Sequence, residues 1–214
     1  AGAVLLASFR MRKIECEEET GGVSTATSPL QDGVFVTFSV LMLLVAVVFL
    51  QLGSTYPLYL RDHFLMTTWM IGLVFGVNTL VIVLFEMLLV DCVKTWPLMR
   101  TIGIGAFLAC TGMGILPFGT STAFCVIAML ILTLGEMLVF PISTAFVGNR
   151  SPSGAEGRYM GWYTITFSLA SVLAPTVGAT IYEINPDALW HVCLAVGFVA
   201  SAGLYALSSR VASA

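Results

Sequence analysis

The chain has 214 residues, 58% of them hydrophobic and only 10% charged, with a mean hydropathy of +0.97. An ordinary soluble domain carries about 25% charged residues, so this composition excludes a dissolved monomeric protein and points to an integral membrane protein. The net charge of −3 comes without a basic run that could face phosphate, so nucleic acid is not expected as a partner.

Residues 1–9, AGAVLLASF, are apolar, and the basic RMRK follows. A signal peptide has the reverse order, with positive charge first. Residues 1–13 therefore read as the tail of a membrane helix leaving the bilayer, in a sequence whose N-terminal part is missing. Residues 14–33, IECEEETGGVSTATSPLQDG, are acidic and rich in Gly, Ser and Thr, and read as a solvated linker.

About 20 apolar residues are needed to cross the bilayer core as a helix. Six stretches qualify, at roughly 34–60, 69–90, 98–117, 122–147, 159–182 and 188–208, leaving 209–214 as a tail. They are too long and too continuously apolar for the alternating strands of a membrane barrel. The connections between them are short and polar, so neighbouring spans must run antiparallel. Arg10, Arg12, Lys13, Lys94, Arg100, Arg150, Arg158 and Arg210 fall on one side of this arrangement and only Arg61 on the other. Basic residues mark the cytoplasmic face, which places the linker, the loops after spans two and four, and the C-terminus there.

Gly105, Ala109 and Gly112 share one face of span three, and Gly72 and Gly76 one face of span two. Small residues at these spacings suggest close helix packing. Cys92, Cys110, Cys125 and Cys193 read as small buried hydrophobes, and the odd total of five cysteines without a C-x-x-C argues against a disulfide framework.

Four polar side chains stand where hydrocarbon should forbid them: Gln51 in span one, Asn78 and Glu86 in span two, and Glu136 in span four. Each must face protein or water. Together they suggest one polar surface inside the bundle. Glu136, over halfway through its span, has three readings. It exchanges protons, it binds a cationic substrate, or it pairs structurally with a base such as Arg158. Pro57, Pro141 and Pro175 punctuate spans one, four and five and are expected to break those helices. LQLGSTYP at 50–57 and LTLGEMLVFP at 132–141 echo one another, as paired interrupted helices of two three-helix repeats would.

Enzyme motifs are missing. SPSG at 151–154 is not a G-x-S-x-G elbow. His63 and His191 have no Cys or carboxylate at ligand spacing, so neither a metal nor a cofactor is expected.

QLGSTYPLYLRDH, GLVFGVNTLVIVLFEMLLVD, TLGEMLVFP and GRYMGWYTITFSLASVLAPTVGATI together resemble the C-terminal half of major facilitator superfamily transporters, most of all bacterial drug/proton antiporter-like members. The resemblance implies an all-α membrane fold of six helices, built as two inverted three-helix repeats, facing a missing N-terminal six-helix half. It implies alternating access and proton-coupled efflux of small amphipathic, drug-like molecules across a bacterial inner membrane. Spans one and four would line the cavity. The family's acid-then-basic loop motif would fall at Asp91, where the expected basic run reads KTW and leaves Lys94 and Arg100. An inner gate would then join Asp91, Lys94 and Arg100 with Arg158, with Glu136 sharing charge. Two alternatives remain on the same sequence: a facilitator or symporter of a metabolite or sugar, and a six-span interaction protein without transport.

Overall fold

The computed structural model describes residues 28–212, with side chains described to Ser209. The expected helix tail at 1–13, with Arg10, Arg12 and Lys13, lies outside the described residues. So do most of the linker, the side chain of Arg210 and the last two residues.

Among the described residues seven α-helices make up the fold: α1 (Gly33–Phe49), α2 (Thr55–Asp62), α3 (Thr68–Val93), α4 (Leu98–Gly114), α5 (Thr122–Arg150), α6 (Glu156–Ile184) and α7 (Pro186–Ala212). Three 3₁₀ turns join them, at Pro29–Gln31, Leu50–Gly53 and Leu116–Phe118, and no strand occurs among the described residues. Five segments are long and apolar enough to cross a membrane: α1 with its following turn, α3, α5, α6 and α7. The sixth apolar helix, α4, is shorter at 17 residues.

Helices α1, α3 and α5 begin where the sequence supplies a side-chain cap. Asp32 accepts from the N–H groups of Val34 and Phe35 at 3.1 and 3.2 Å, Thr67 from Met70 at 3.4 Å, and Ser121 from Phe124 at 3.2 Å. Such caps satisfy backbone donors that the helix itself leaves open.

The core lies in two clusters, one toward each end of the bundle. Phe35, Phe38, Met99, Ile102, Phe146, Tyr159 and Leu204 pack at the end that carries Lys94, Arg100, Arg150 and Arg158. Tyr56, Tyr59, Met113, Leu116, Cys125 and Trp190 pack at the end that carries Arg61. The helices therefore alternate in direction, as the short connections require.

Helix α4 is held between α5 and α7. The expected small-residue face is present there. A Cβ on Gly105 would come within 2.7 Å of Leu138 Cβ, and one on Gly112 within 2.5 Å of the Leu132 backbone nitrogen. Gly72 and Gly76 correct the companion expectation: they are exposed on α3 and nothing lies within 4 Å of where their Cβ atoms would be. Cys110, Cys125 and Cys193 are buried as expected, but Cys92 is exposed.

The prolines behave differently from one another. In the first span the helix does break, but upstream of Pro57, at the 3₁₀ turn Leu50–Gly53 and at Ser54. Pro57 sits in the first turn of α2, where a missing N–H removes no helical bond. Helices α5 and α6 run unbroken through Pro141 and Pro175. Each proline there deletes one backbone donor, while the packed neighbours keep the helix continuous. The echo between 50–57 and 132–141 is shared only in part, since Leu50–Gly53 form a 3₁₀ turn before the helix resumes at Thr55, whereas all of 132–141 is α-helical.

Candidate functional site

The polar side chains inside the bundle form two separate centres rather than one surface. The first joins α3 to α5. Asn78 Nδ2 donates to Thr133 Oγ1 at 2.9 Å and to Glu136 Oε2 at 3.0 Å. The Thr133 hydroxyl donates to the Met129 carbonyl at 2.7 Å, as serine and threonine commonly do inside helices. Asn78 is 7% exposed and Thr133 fully buried, whereas Glu136 is half-buried. Glu86 lies eight residues beyond Asn78 on α3, about two turns along the helix, and is half-buried.

Glu136 is the midpoint of α5, with 14 residues on either side, slightly less advanced along its helix than the over-halfway position expected of it. At 1.5 Å of rise per residue it stands about 20 Å from both helix ends. Arg158 opens α6 at the far side of the loop that follows Arg150. The helix rise therefore separates it from Glu136, and the carboxylate takes its hydrogen bond from Asn78 instead. Arg61, Lys94, Arg100, Arg150 and Arg158 all lie at or near helix ends.

The second centre holds the broken span to α6. Gln51, 2% exposed, donates through Nε2 to the Ala174 carbonyl at 2.8 Å. Its Oε1 accepts from Thr55 at 2.8 Å and from Ser54 at 3.3 Å. The amide enters α6 at Gly178, where any Cβ would collide with it. One residue earlier than Pro175, the acceptor Ala174 belongs to the stretch in which α6 has lost a backbone donor. Gln51 thus ties the first span's break to the proline stretch of α6.

The residues named for an inner gate sit together at one end of the bundle with different partners. Asp91 pairs with Lys94 at 2.8 Å, both exposed. The Arg100 guanidinium lies 5.5 Å from the centre of the Tyr205 ring. The firmest ion pair at that end was not anticipated. Arg150, the last residue of α5, grips both carboxylate oxygens of Asp32 at 2.7 Å. Burial alone would raise the Asp32 pKa, but the hydrogen bond and charge of Arg150 and the N–H groups of Phe35 and Val34 hold it below its ordinary value. The signal available in the sequence was an acid one residue ahead of an apolar run. Reading 14–33 as a uniform solvated linker hid it. Two further ties escaped the sequence. Ser143 and Tyr163 share a buried hydrogen bond of 2.6 Å between α5 and α6, and Tyr59 donates to Asp187 at 2.6 Å at the opposite end. Among the described residues no group of three or more His, Cys, Asp or Glu could hold a metal ion.

A bundle of long apolar helices with polar side chains turned to its interior defines an integral membrane protein. The model of the Major Facilitator Superfamily matches residues 2–175, and the chain belongs to that superfamily. It is similar to a Na(+), Li(+), K(+)/H(+) antiporter of Planococcus maritimus, 23% identical over 160 residues that cover 68% of this chain and 38% of the relative. It is also similar to two uncharacterized MFS-type transporters of Bacillus subtilis. One is YqjV, at 26% identity over 63% of this chain and 33% of the relative. The other is YttB, at 29% identity over 50% of this chain and 28% of the relative. The matched region thus spans well under half the length of these relatives. No solved structure matches the chain.

Proposed function

We propose that the chain is the C-terminal half of a proton-coupled secondary transporter that exports small amphipathic compounds by alternating access. The observation that supports this best is Glu136. An ionised, unpaired side chain at mid-membrane costs from about 3 to more than 10 kcal/mol. Arg150 stands 14 residues from Glu136 on α5 and Lys94 lies 16 residues beyond Asn78 at the end of α3, roughly 20 Å or more of helix rise in each case, and the carboxylate takes its hydrogen bond from the neutral Asn78. A carboxylate so placed is stable as the neutral acid or beside a mobile cation, and passing between those states is what coupling requires. The relative named as a cation/H(+) antiporter favours the same reading.

The other half would supply the second cavity wall. Supporting this, α3 and α6 each leave a stripe of small or hydroxylated residues uncovered: Gly72, Gly76 and Thr79 on one, Gly157, Gly161, Thr164 and Ser168 on the other. Small residues of this kind let a neighbouring helix approach closely. Within this reading, residues 1–13 end the preceding half, 14–33 form a cytoplasmic linker, 34–208 form the six-span bundle of two three-helix repeats, and 209–214 form a cytoplasmic tail. The eight-to-one basic count favours a cytoplasmic C-terminus, and the bacterial origin of the relatives favours a bacterial inner membrane. Asp91, Lys94, Arg100 and Arg158 then belong to the inner gate.

Glu136→Gln in the full-length protein tests the proposal. Proton-driven export should fall at least about tenfold, equivalent to about 1.4 kcal/mol, while substrate binding is retained. Normal proton-driven export by a well-expressed variant would remove the role assigned to Glu136.

A further inference from the structure

We propose that Glu136, Asn78 and Thr133 form a binding site for one dehydrated monovalent cation of the sodium class. The inference rests on the reading of this centre as the coupling site, and it names the ion that the centre accepts besides the proton.

The geometry is that of a three-oxygen corner held by two helices. The Thr133 hydroxyl spends its hydrogen on the Met129 carbonyl, 2.7 Å away, so its lone pairs face Asn78. The Asn78 amide touches that oxygen at 2.9 Å and the Glu136 carboxylate at 3.0 Å. With its NH₂ turned inward, the amide donates to two acceptors and suits an ionised carboxylate. A half-turn about the last side-chain bond exchanges NH₂ for the carbonyl oxygen in the same place. The three oxygens then have no hydrogen among them unless Glu136 is protonated, so with an ionised carboxylate that arrangement requires a cation. Hard cations take carboxylate, amide and hydroxyl oxygens as ligands.

Charge selects the valence. The corner carries one formal negative charge, because the amide and the hydroxyl add none. One positive charge neutralises it, whereas a divalent ion would leave net charge in apolar surroundings. Access is one-sided, since Asn78 and Thr133 are buried at 7% and 0% exposure while Glu136 is half-open. An ion would therefore meet the carboxylate first and shed water onto the two neutral oxygens behind it.

Purified full-length protein, melted in NaCl and in N-methylglucamine chloride at equal ionic strength, tests the site. Saturating sodium should raise the melting temperature by about 5 °C. Thr133→Val and Glu136→Gln should abolish the rise, and Thr133→Ser should restore it. Equal midpoints of the wild-type protein in the two salts would overturn the proposal, as would a sodium effect unchanged in both disabling variants. Saturable retention of radioactive sodium by the wild-type protein gives a check independent of any variant's folding, and failure to retain it also overturns the site. Proton-driven export on the same preparations separates the two readings. A sodium-insensitive wild type whose export is lost in Glu136→Gln removes the cation site alone. Export that survives Glu136→Gln while the sodium effect is lost removes the proton reading and keeps the cation site.

Discussion

Asp32 caps α1 with one side chain and anchors the end of α5 with the same carboxylate. Its pKa is held below the ordinary 3.8, so the unfolded chain binds a proton more readily than the folded one. The stabilisation is therefore fully present above about pH 4 and is lost as pH falls through the folded value. Asp32→Asn keeps an acceptor for the helix cap but discards the charge. It should cost about 1–2 kcal/mol, since Arg150 is partly solvated. Melting curves of the purified protein between pH 6 and pH 3 check this: the wild-type protein should lose stability toward acid more steeply than the variant. At this scale the sequence exposed the residues that hydrocarbon forbids, and Glu136, Asn78 and Gln51 all prove to make buried or half-buried contacts. It did not expose their partners. Thr133, Ala174 and Gly178 are unremarkable in composition and acquire meaning only when another helix is laid beside them.

Among the elements, the helices were legible almost to their ends, because an apolar run between capping residues leaves little choice of conformation. Helix packing was less so. Gly-x-x-x spacing marks a face where approach is possible, not one where it occurs. The α4 face touches α5 and the α3 face is open. Gly112→Val should therefore force α4 and α5 apart and cost about 1–3 kcal/mol of overpacking, whereas Gly76→Ala should leave the fold of this chain unchanged. Folded yield in detergent, read by gel filtration, distinguishes the two. The prolines teach the same lesson. A proline removes a donor wherever it stands, but the chain breaks only where local turns also favour it, as at Leu50–Gly53. Pro141 and Pro175 are embedded in 29-residue helices that stay helical through the gap.

For the molecule as a whole, the antiparallel order followed from loop length alone, and the sorting of Lys and Arg onto one end agrees with it. Sidedness has a direct check in Cys92, which is exposed near the Lys94 end of α3. A membrane-impermeant maleimide should label Cys92 in inside-out vesicles and not in intact cells. A cysteine introduced at the exposed Thr120, in the loop after α4, with Cys16 and Cys92 replaced by serine, should give the reverse pattern. Labelling of both from the same side would contradict the antiparallel order.

The 17 residues of α4 rise about 26 Å, less than the roughly 30 Å depth of a typical hydrocarbon layer. The turn Leu116–Phe118 is wound more tightly, at about 2 Å per residue, and adds roughly 6 Å from only three residues. This one element therefore crosses at its limit while its 26- to 29-residue neighbours have length to spare and can tilt. Hydrophobic mismatch should be felt first at α4. Reconstituted into lipids of increasing acyl length, the full-length protein should lose transport sooner on the long-chain side than on the short-chain side, so that membrane thickness sets where it works best.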